Sequence, residues 1–341
     1  MGLRKAIATL LALSVLMSSQ ACKEDGKYAK ISGFAQGGTY SVCCRIPDGS
    51  TQEALQRTID TILADIDQSL SGYNRSSLLS RLNSGEDLPL DSIFIRCFQR
   101  SNEIWQLSGG AFDPSAAPLF DLWGFGFEDG GMPSDEEVAE VSSLTGMDKF
   151  SLESRPDGIH LLKADSLSKL NFNAIAQGLS CDLIAEYLES QGCLDFLIDV
   201  GKEMMCRGER EQGGPWRIGI DKPADDAGDS MTIQDIVEVS GKGIVTSGNY
   251  RKFYVKDGKK YAHTIDPRTG YPVQHSLLSA TVVADDATSA DAFATWFMVV
   301  GLEEASRIVD SLENVEAYLV YGGQDDMQIW KSRGFETTEI N

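Results

Sequence analysis

Residues 289–300 read Ser-Ala-Asp-Ala-Phe-Ala-Thr-Trp-Phe-Met-Val-Val, an apolar run that stops at Gly301. The run predicts a helix with Ser289 as its N-cap, because a serine side chain accepts hydrogen bonds from the free N–H groups of a first turn. Its polar members Asp291 and Thr295 are four residues apart and therefore share one helix face. Both can direct oxygen toward one hard cation such as magnesium. The helix dipole and the capping of free N–H groups offer a purely structural reason for Asp291.

Outward from this helix, strands and helices follow without the regular βαβ alternation of a parallel sheet, which predicts an α+β fold. Further helices are predicted over residues 51–70, 94–107, 132–144, 174–190 and 302–312. Strands are predicted over residues 31–46, 147–153, 158–164, 168–173, 196–200, 203–207, 216–221, 234–239, 244–247, 278–284, 315–321 and 327–331. A hairpin is predicted from residues 252–256 and 261–263, and an extended loop over residues 109–126.

A histidine stands just before a tight Pro/Gly turn in the segment His263-Thr-Ile-Asp-Pro-Arg-Thr-Gly270. Imidazole titrates close to neutral pH, so His263 is a candidate general base. The alternative is a structural imidazole that hydrogen-bonds across the predicted hairpin. A histidine beside a phosphate-bound magnesium indicates chemistry on a nucleotide.

Seven motifs in a fixed order resemble the FAD:protein FMN transferase family, often called ApbE, over roughly residues 33–310. Two of them are the His263 and Asp291 segments. The others are Gly37-Gly-Thr-Tyr-Ser-Val42, Leu70-Ser-Gly-Tyr73 with Ser77-Leu-Leu-Ser-Arg-Leu-Asn83, Gly109-Gly-Ala-Phe-Asp-Pro114 with Leu122-Trp-Gly-Phe-Gly126, Asn171-Phe-Asn-Ala-Ile-Ala-Gln-Gly178 with Asp182, and Thr246-Ser-Gly-Asn-Tyr-Arg251.

The resemblance implies a single large T-fold-like α+β domain of two intertwined halves. It implies that FAD binds with its diphosphate on Mg²⁺ and that FMN moves to a Ser or Thr hydroxyl of another exported protein, releasing AMP. It further implies that Asp291, Thr295 and the backbone carbonyl of Ala174 bind the metal and that His263 is the general base. The FAD contacts that it implies are Gln36, Tyr73, Ala111, Phe112, Asp113, Asn171, Gln177, Ser247 and Ile265.

The chain departs from the family pattern at several positions. Gln36 stands where many members have Met, and Leu78 replaces a common Glu. Asn171 replaces a common Asp, Gln177 replaces a common Lys or Glu, and Gly201-Lys-Glu203 replaces a more usual Gly-Gly-Asp/Glu. The changes at 171 and 177 remove charge near the expected FAD, so they bear on the rate or on the nucleotide preference.

Two other functions stay open at this point. The same site with water as the acceptor would be an FAD pyrophosphatase that yields FMN and AMP. A non-catalytic flavin-binding lipoprotein belongs to a different class, and the presence of Asp291, Thr295 and His263 together disfavours it. An assay for transfer of FMN to a Ser or Thr of an acceptor protein distinguishes these three functions.

The N-terminus predicts export and a lipid anchor. Arg4 and Lys5 precede the apolar residues 6–17, which are fewer than the ~20 needed to span a bilayer. The run ends at Ser19-Gln-Ala-Cys22, which predicts a signal peptide over 1–21, lipidation of Cys22, a tether over 22–30 and the FMN transferase domain over 31–341. Ordinary cleavage near Ala21 is the alternative. The expected location is extracytoplasmic, on the periplasmic face of a bacterial membrane, with a membrane electron-transport subunit as the acceptor that the resemblance implies.

The net charge limits which molecules the protein can bind, and the cysteine content limits which cross-links and metal sites it can form. The 341 residues carry a formal net charge of −21, which excludes nucleic-acid binding by counterion release and makes an anionic dinucleotide hard to hold without a cation.

Beyond Cys22 there are six cysteines, whose fifteen possible pairings the sequence does not resolve and which show no zinc-site spacing. Cys43 and Cys44 point to opposite faces of a predicted strand, so a bond between them is not expected. Disulfides and buried reduced thiols are both open.

Overall fold

The computed structural model describes residues 28–125, 132–223, 232–249, 253–256, 259–262, 264–323 and 326–338 of the chain, with the backbone alone at 253–256 and 259–262. Its fold is α+β, as the sequence predicts. Eight strands form one sheet in the order β1-β2-β5-β6-β9-β14-β15-β16, and every adjacent pair is antiparallel. Their bounds are β1 Tyr28–Ala35, β2 Gly38–Arg45, β5 Phe196–Val200, β6 Glu203–Arg207, β9 Lys242–Gly248, β14 Leu277–Ala284, β15 Glu316–Gly323 and β16 Asp326–Lys331.

Four two-stranded sheets lie outside the large one. They are β3 Phe150–Arg155 with β4 Gly158–Lys163, β7 Trp216–Asp221 with β8 Ile233–Val239, β10 Phe253–Lys256 with β11 Lys259–Ala262, and β12 Ile265–Asp266 with β13 Tyr271–Pro272. The β10–β11 pair confirms the predicted hairpin, whose turn residues 257–258 lie outside the described part of the chain.

Most helices of the described residues lie where the sequence predicts a helix, and α2 and α4 are the exceptions. They are α1 Gln52–Leu70, α2 Leu78–Asn83, α3 Ser92–Leu107, α4 Ala117–Leu122, α5 Asp135–Ser142, α6 Ala176–Ser190, α7 Ala287–Val300 and α8 Leu302–Val309. Thr51 caps α1 through a hydrogen bond from the Ala54 N–H, and Ser134 with Glu137 forms a capping box at the start of α5.

Helix α7 is at the centre of the molecule. Twelve of its 14 residues are buried, so the helix is enclosed by other elements from every direction. One face of the large sheet packs on α7 and α6, with Ala280 and Val282 of β14 in the shared core. The other face packs on the β7–β8 hairpin through Trp216 and Val237.

Close backbone approach brings α6 against the start of α7. A Cβ on Gly178 would come within 2.3 Å of the Ala287 carbonyl oxygen, so only glycine fits there. Asp182, one turn further along α6, accepts hydrogen bonds from the backbone N–H groups of Ala287 (2.9 Å) and Thr288 (2.8 Å). The first turns of α6 and α7 are therefore held together.

The predicted N-cap of α7 is wrong. The helix begins at Ala287, and its N-cap is Asp286, whose carboxylate accepts the Ser289 backbone N–H at 2.6 Å. The Ser289 hydroxyl donates to the same carboxylate instead of capping the helix itself. An ionised side chain is the stronger acceptor, so the cap moves one turn upstream.

The N-terminal strand prediction is also wrong in detail. Residues 31–46 form the hairpin β1–β2, because the chain reverses at Gln36 and Gly37, which both have positive φ (51° and 76°). A Gln at such a position gives no turn signal of the Asn-Gly kind. Strand β1 starts at Tyr28, so residues 28–30 of the predicted tether belong to the sheet.

Three further local predictions fail. Residues 168–173 are not a strand, since the Asn83 side chain hydrogen-bonds both the N–H (2.9 Å) and the carbonyl (2.8 Å) of Leu170 in place of a neighbouring strand. The strand predicted over 147–153 starts only at Phe150 and follows a short 3₁₀ turn. The predicted loop over 109–126 contains α4, and α2 was not predicted.

Candidate active site

A cavity of about 850 Å³ opens where the first turns of α6 and α7 meet the ends of β6, β9 and β12. This volume lies in the range of small-molecule and cofactor sites. The residues predicted from the sequence that line it are Tyr73, Ala111, Phe112, Asp113, Asn171, Ala174, Gln177, Ser247, Ile265, Asp291 and Thr295. Residues from widely separated parts of the chain therefore share one cavity, while their individual roles stay predictions.

Three oxygen donors meet on one wall. Asp291 lies in the second turn of α7, Thr295 lies one turn later, and Ala174 precedes α6. Asp291 is 4% exposed, and its Oδ2 accepts the backbone N–H of Gly178 at 3.1 Å. Burial raises the pKa of Asp291, the Gly178 hydrogen bond lowers it in part, and the negative charge of Asp182 raises it further.

Sequence reasoning missed Glu203 as a site residue. It is the first residue of β6, it lines the cavity, and its Oε2 is buried without a hydrogen-bond partner in the described part of the chain. Burial and then the charge of Asp291 raise the pKa of Glu203 well above its usual value. The sequence did contain an indication of this role, because Glu203 in Gly201-Lys-Glu203 stands where the family pattern has Asp or Glu.

These donors fit a magnesium ion. A carboxylate, a hydroxyl and a backbone carbonyl are hard oxygen ligands, and Mg²⁺ takes few protein ligands together with water and phosphate oxygens. The negative charge of Asp291 raises the cost of ionising the buried Glu203 carboxyl, and a divalent cation beside them would offset that cost. Within the described ranges no group of three or more His, Cys, Asp and Glu residues is placed to bind a metal.

Another part of the cavity wall is aromatic and polar. The Phe112 ring is 2% exposed, whereas Tyr73 is 70% exposed at the mouth of the cavity, where the Asn173 amide donates to its hydroxyl at 3.4 Å. Burial raises the pKa of Asp113 to about 6, although hydrogen bonds from Ser115 and Trp105 lower it. The Ser115 N–H donates to Asp113 Oδ1 at 2.8 Å. This wall offers a ring to stack on and a carboxyl that titrates below neutral pH.

Gln177 and Asn171 are held by local contacts. The Gln177 amide lies against Gly201, where a Cβ would come within 2.1 Å of its nitrogen. The Asn171 N–H donates to the Pro114 carbonyl at 2.8 Å, and its side chain accepts the Asn173 N–H at 2.8 Å. Both side chains are neutral, and the carboxyl group of Glu203 lies beside Gln177 at the same glycine.

Gln36 is the one predicted FAD contact that does not line the cavity, and two other predicted site residues lie outside the described part of the chain. Gln36 lies at the β1–β2 turn, and its amide donates to Ser180 Oγ of α6 at 2.7 Å, beside the cavity. His263 and Cys22 lie outside the described residues. Thr264 and Ile265, which follow His263 directly, line the cavity.

Residues 36–319 match the model of the ApbE family. The chain belongs to the ApbE family. Among curated ApbE proteins, it is 31% identical to the FAD:protein FMN transferase of Haemophilus influenzae over 93% of both chains. It is 33% identical to that of Escherichia coli K12, over 85% of this chain and 83% of the relative. The predicted resemblance is thereby confirmed.

Solved ApbE structures share the fold. The flavin transferase ApbE from Vibrio cholerae superposes with a TM-score of 0.79 at 30% identity, covering 91% of this chain and 98% of that one. The Pseudomonas stutzeri flavinyl transferase ApbE gives 0.79 at 31% identity, covering 90% and 95%. The α+β class and the single large domain predicted from the sequence agree with these ApbE structures.

Proposed function

We propose that this chain is an FAD:protein FMN transferase that moves FMN from FAD to a Ser or Thr hydroxyl of an acceptor protein. The acceptor oxygen forms a bond to the phosphorus of the FMN half, the bridging P–O bond of the diphosphate breaks, and AMP leaves. The observation that carries the proposal is one cavity lined both by the oxygen donors of Asp291, Thr295 and Ala174 and by the aromatic rings of Tyr73 and Phe112, in a chain of the ApbE family.

The oxygen donors would hold the diphosphate end of FAD through Mg²⁺. When bound, the ion would neutralise charge on the diphosphate and the leaving AMP and polarise the phosphorus under attack. Asp291 is fixed by Gly178 and Thr295 lies on the same helix face, so the ligand geometry is set before substrate arrives. Glu203 adds a second carboxylate near this position and needs a cation or a proton beside it.

The aromatic wall would orient the flavin. Tyr73 offers an exposed ring for stacking at the cavity mouth, and Phe112 and Ile265 form a rigid apolar floor because both are almost fully buried. Asn171, Gln177 and Ser247 offer neutral hydrogen-bonding groups along the same cavity. This arrangement would position the diphosphate against the oxygen donors without adding positive charge from the protein.

His263 is the proposed general base. It would take the proton of the acceptor hydroxyl as the new P–O bond forms. Its two sequence neighbours Thr264 and Ile265 line the cavity, which supports an imidazole close to the reacting phosphorus.

We further propose that the protein is exported and anchored by lipid on Cys22, with a membrane electron-transport subunit as acceptor. The basic start, the short apolar run and the Ser-Gln-Ala-Cys segment support the anchor. No helix within the described residues is long and apolar enough to cross a membrane. Cys22→Ser should release the protein from membranes, and wild-type protein recovered in the soluble fraction, starting at another residue, would contradict the anchor.

The transferase is tested by incubating the chain with FAD, Mg²⁺ and an acceptor protein that carries an exposed Ser/Thr flavinylation motif, followed by mass spectrometry of the acceptor. We expect a mass increase of one FMN, its loss in EDTA, and a loss of at least a hundredfold in rate for Asp291→Ala. Asp310→Ala, at an exposed carboxylate after α8, is the control that should keep the rate. Full transfer without metal refutes the role of Mg²⁺, and FMN with AMP but no labelled acceptor identifies a pyrophosphatase instead.

A further inference from the structure

Two buried thiols that are far apart along the chain belong to one core cluster under the large sheet. Cys44 is on β2 and is 0% exposed, and Cys193 is 2% exposed in the connection between α6 and β5. Strand pairing places Cys44 opposite Phe196, and the Arg45 N–H donates to the Asp195 carbonyl at 2.9 Å. This register brings the α6–β5 connection against β2, where the Cys193 thiol donates to the carbonyl of Arg45, the residue after Cys44, at 3.0 Å and lies beside the Cys44 thiol.

The other described cysteines have different neighbours. Cys181 donates to the Glu203 carbonyl at 3.0 Å, and Cys206 donates to the Val239 carbonyl at 3.5 Å. Cys97 is buried among the helices, and Cys43 faces the opposite side of the sheet from Cys44. Among the described cysteines, the structure therefore favours one pair, Cys44 with Cys193.

We propose that Cys44 and Cys193 form an intrachain disulfide, made by exchange with a small-molecule or protein disulfide that serves as the oxidant. The Cys193 thiolate attacks one sulfur of the oxidant and expels a thiolate, which leaves a mixed disulfide on Cys193. The Cys44 thiolate then attacks the Cys193 sulfur, closes the S–S bond and expels the second thiolate. The two protein thiols lose two electrons and two protons, and the oxidant disulfide becomes two thiols.

The two thiols differ in their surroundings. The hydrogen bond from Cys44 lowers the pKa of Cys193, against the effect of burial, and the same contact and burial raise the pKa of Cys44. Loss of a thiol proton gives the thiolate, which is the form that attacks a disulfide. Both sulfurs are buried, so the exchange takes place while the chain folds or when this part of the core opens.

The bond would stabilise the fold without entering the cavity. It joins β2 to the α6–β5 connection across a long stretch of chain, and a disulfide that closes a long loop restricts the unfolded state most. Cys44 lies near the end of β2 away from the Gln36-Gly37 turn, and Cys193 follows the last turn of α6, whereas the cavity is at its first turn. The inference does not rest on the proposed transferase activity.

Peptide mapping tests the inference directly. The full chain is refolded in a glutathione redox buffer, remaining thiols are blocked with a maleimide in denaturant, and protease fragments are sequenced by tandem mass spectrometry without reduction. We expect a cross-linked peptide pair in which fragment ions place the bond on Cys44 and Cys193. Complete blocking of all the described thiols, or a bond between other cysteines, would overturn the proposal.

Matched variants and a stability measurement complete the test. Cys44→Ala and Cys193→Ala should each abolish the cross-link, while Cys43→Ala, the adjacent residue on the other face, should keep it. Reduction of wild type with dithiothreitol should lower the thermal midpoint by about 5 °C or more, because a loop constraint is lost. If the variants do not fold, the peptide map and the thermal midpoint of the wild type still decide whether the bond forms. An unchanged midpoint on reduction together with free thiols refutes the bond.

Discussion

The carboxylate of Asp291 accepts the backbone N–H of Gly178 at 3.1 Å, and this contact ties the cavity-facing side of α7 to the first turn of α6. The glycine is needed for the approach, since a Cβ there would come within 2.3 Å of the Ala287 carbonyl oxygen and 2.9 Å of Asp291 Cβ. The position of the carboxylate thus depends on the packing of two helices and not on α7 alone.

Gly178→Ala should therefore both destabilise the fold and displace Asp291. Overpacking of this kind costs about 1–3 kcal/mol, because backbone atoms have to move. We expect a lower urea midpoint and a higher Mg²⁺ concentration for half-maximal transfer. Ser190→Ala, at an exposed position in the last turn of α6, is the control with little expected effect. Unchanged metal dependence in a destabilised Gly178→Ala protein would show that Asp291 does not depend on this contact.

Glu203→Gln should weaken metal binding without a loss of stability. The buried Oε2 has no hydrogen-bond partner among the described residues, and the neutral amide removes the repulsion with Asp291. We expect roughly a tenfold higher Mg²⁺ requirement, the lower end of the usual effect of residues that support metal ligands. The measurement is Mg²⁺ titration of the transfer rate, with chemical denaturation of the same protein. Glu209→Gln, at an exposed glutamate, should match wild type, and equal Mg²⁺ requirements for both variants would remove Glu203 from the site.

The local part of the site was predictable from the sequence and the nonlocal part was not. Asp291 and Thr295 share a face because of helix geometry alone, which a four-residue spacing reveals. Glu203 reaches them because β6 lies beside β9 in a sheet order that does not follow the chain. No local pattern encodes that neighbour, so only the resemblance to a family indicated a carboxylate at this position.

The errors in the predicted elements have the same origin. Asp286 and Ser289 are both good N-cap residues three positions apart, and the choice depends on how the chain enters α7 after β14. The turn at Gln36 has positive φ without a residue that signals it, and the amide of Gln36 is fixed by Ser180, which is distant in sequence. At the N-cap of α7 and at the turn at Gln36, tertiary contacts determine the local structure more strongly than local sequence propensity does.

Asp113 predicts a pH dependence of stability. Burial raises its pKa to about 6, so between about pH 4 and 6 the folded protein binds more protons at this site than the unfolded chain does. The contribution of Asp113 to the free energy of unfolding therefore falls as pH rises through this window and is level above it. Asp113→Asn should remove this fall, so that the variant gains about 2 kcal/mol relative to wild type between pH 4 and 7.

Urea denaturation at several pH values measures this difference without FAD or metal. Other carboxyl groups whose pKa is raised, such as that of Asp182, contribute equally to the free energy of unfolding of both proteins. Their contributions therefore cancel in the comparison. A constant difference between Asp113→Asn and wild type from pH 4 to 7 would show that Asp113 titrates alike in the folded and unfolded states. Asp48→Asn, at an exposed carboxyl, is the control for the change of residue type.

His263→Ala should slow transfer by about a hundredfold or more, the usual contribution of a general base, while FAD still binds. Binding is expected to persist because Asp291, Thr295 and the wall around Phe112 and Asp113 are unchanged. The rate of wild type should fall as His263 becomes protonated, and the variant should lose this acidic limb of the pH–rate profile. Quenched time courses measure the rate of FMN transfer, and a fluorescence titration with FAD measures the affinity separately. Equal losses in affinity and rate would make His263 a binding or folding residue, and an unchanged rate would assign the base to Asp113 or Asp266.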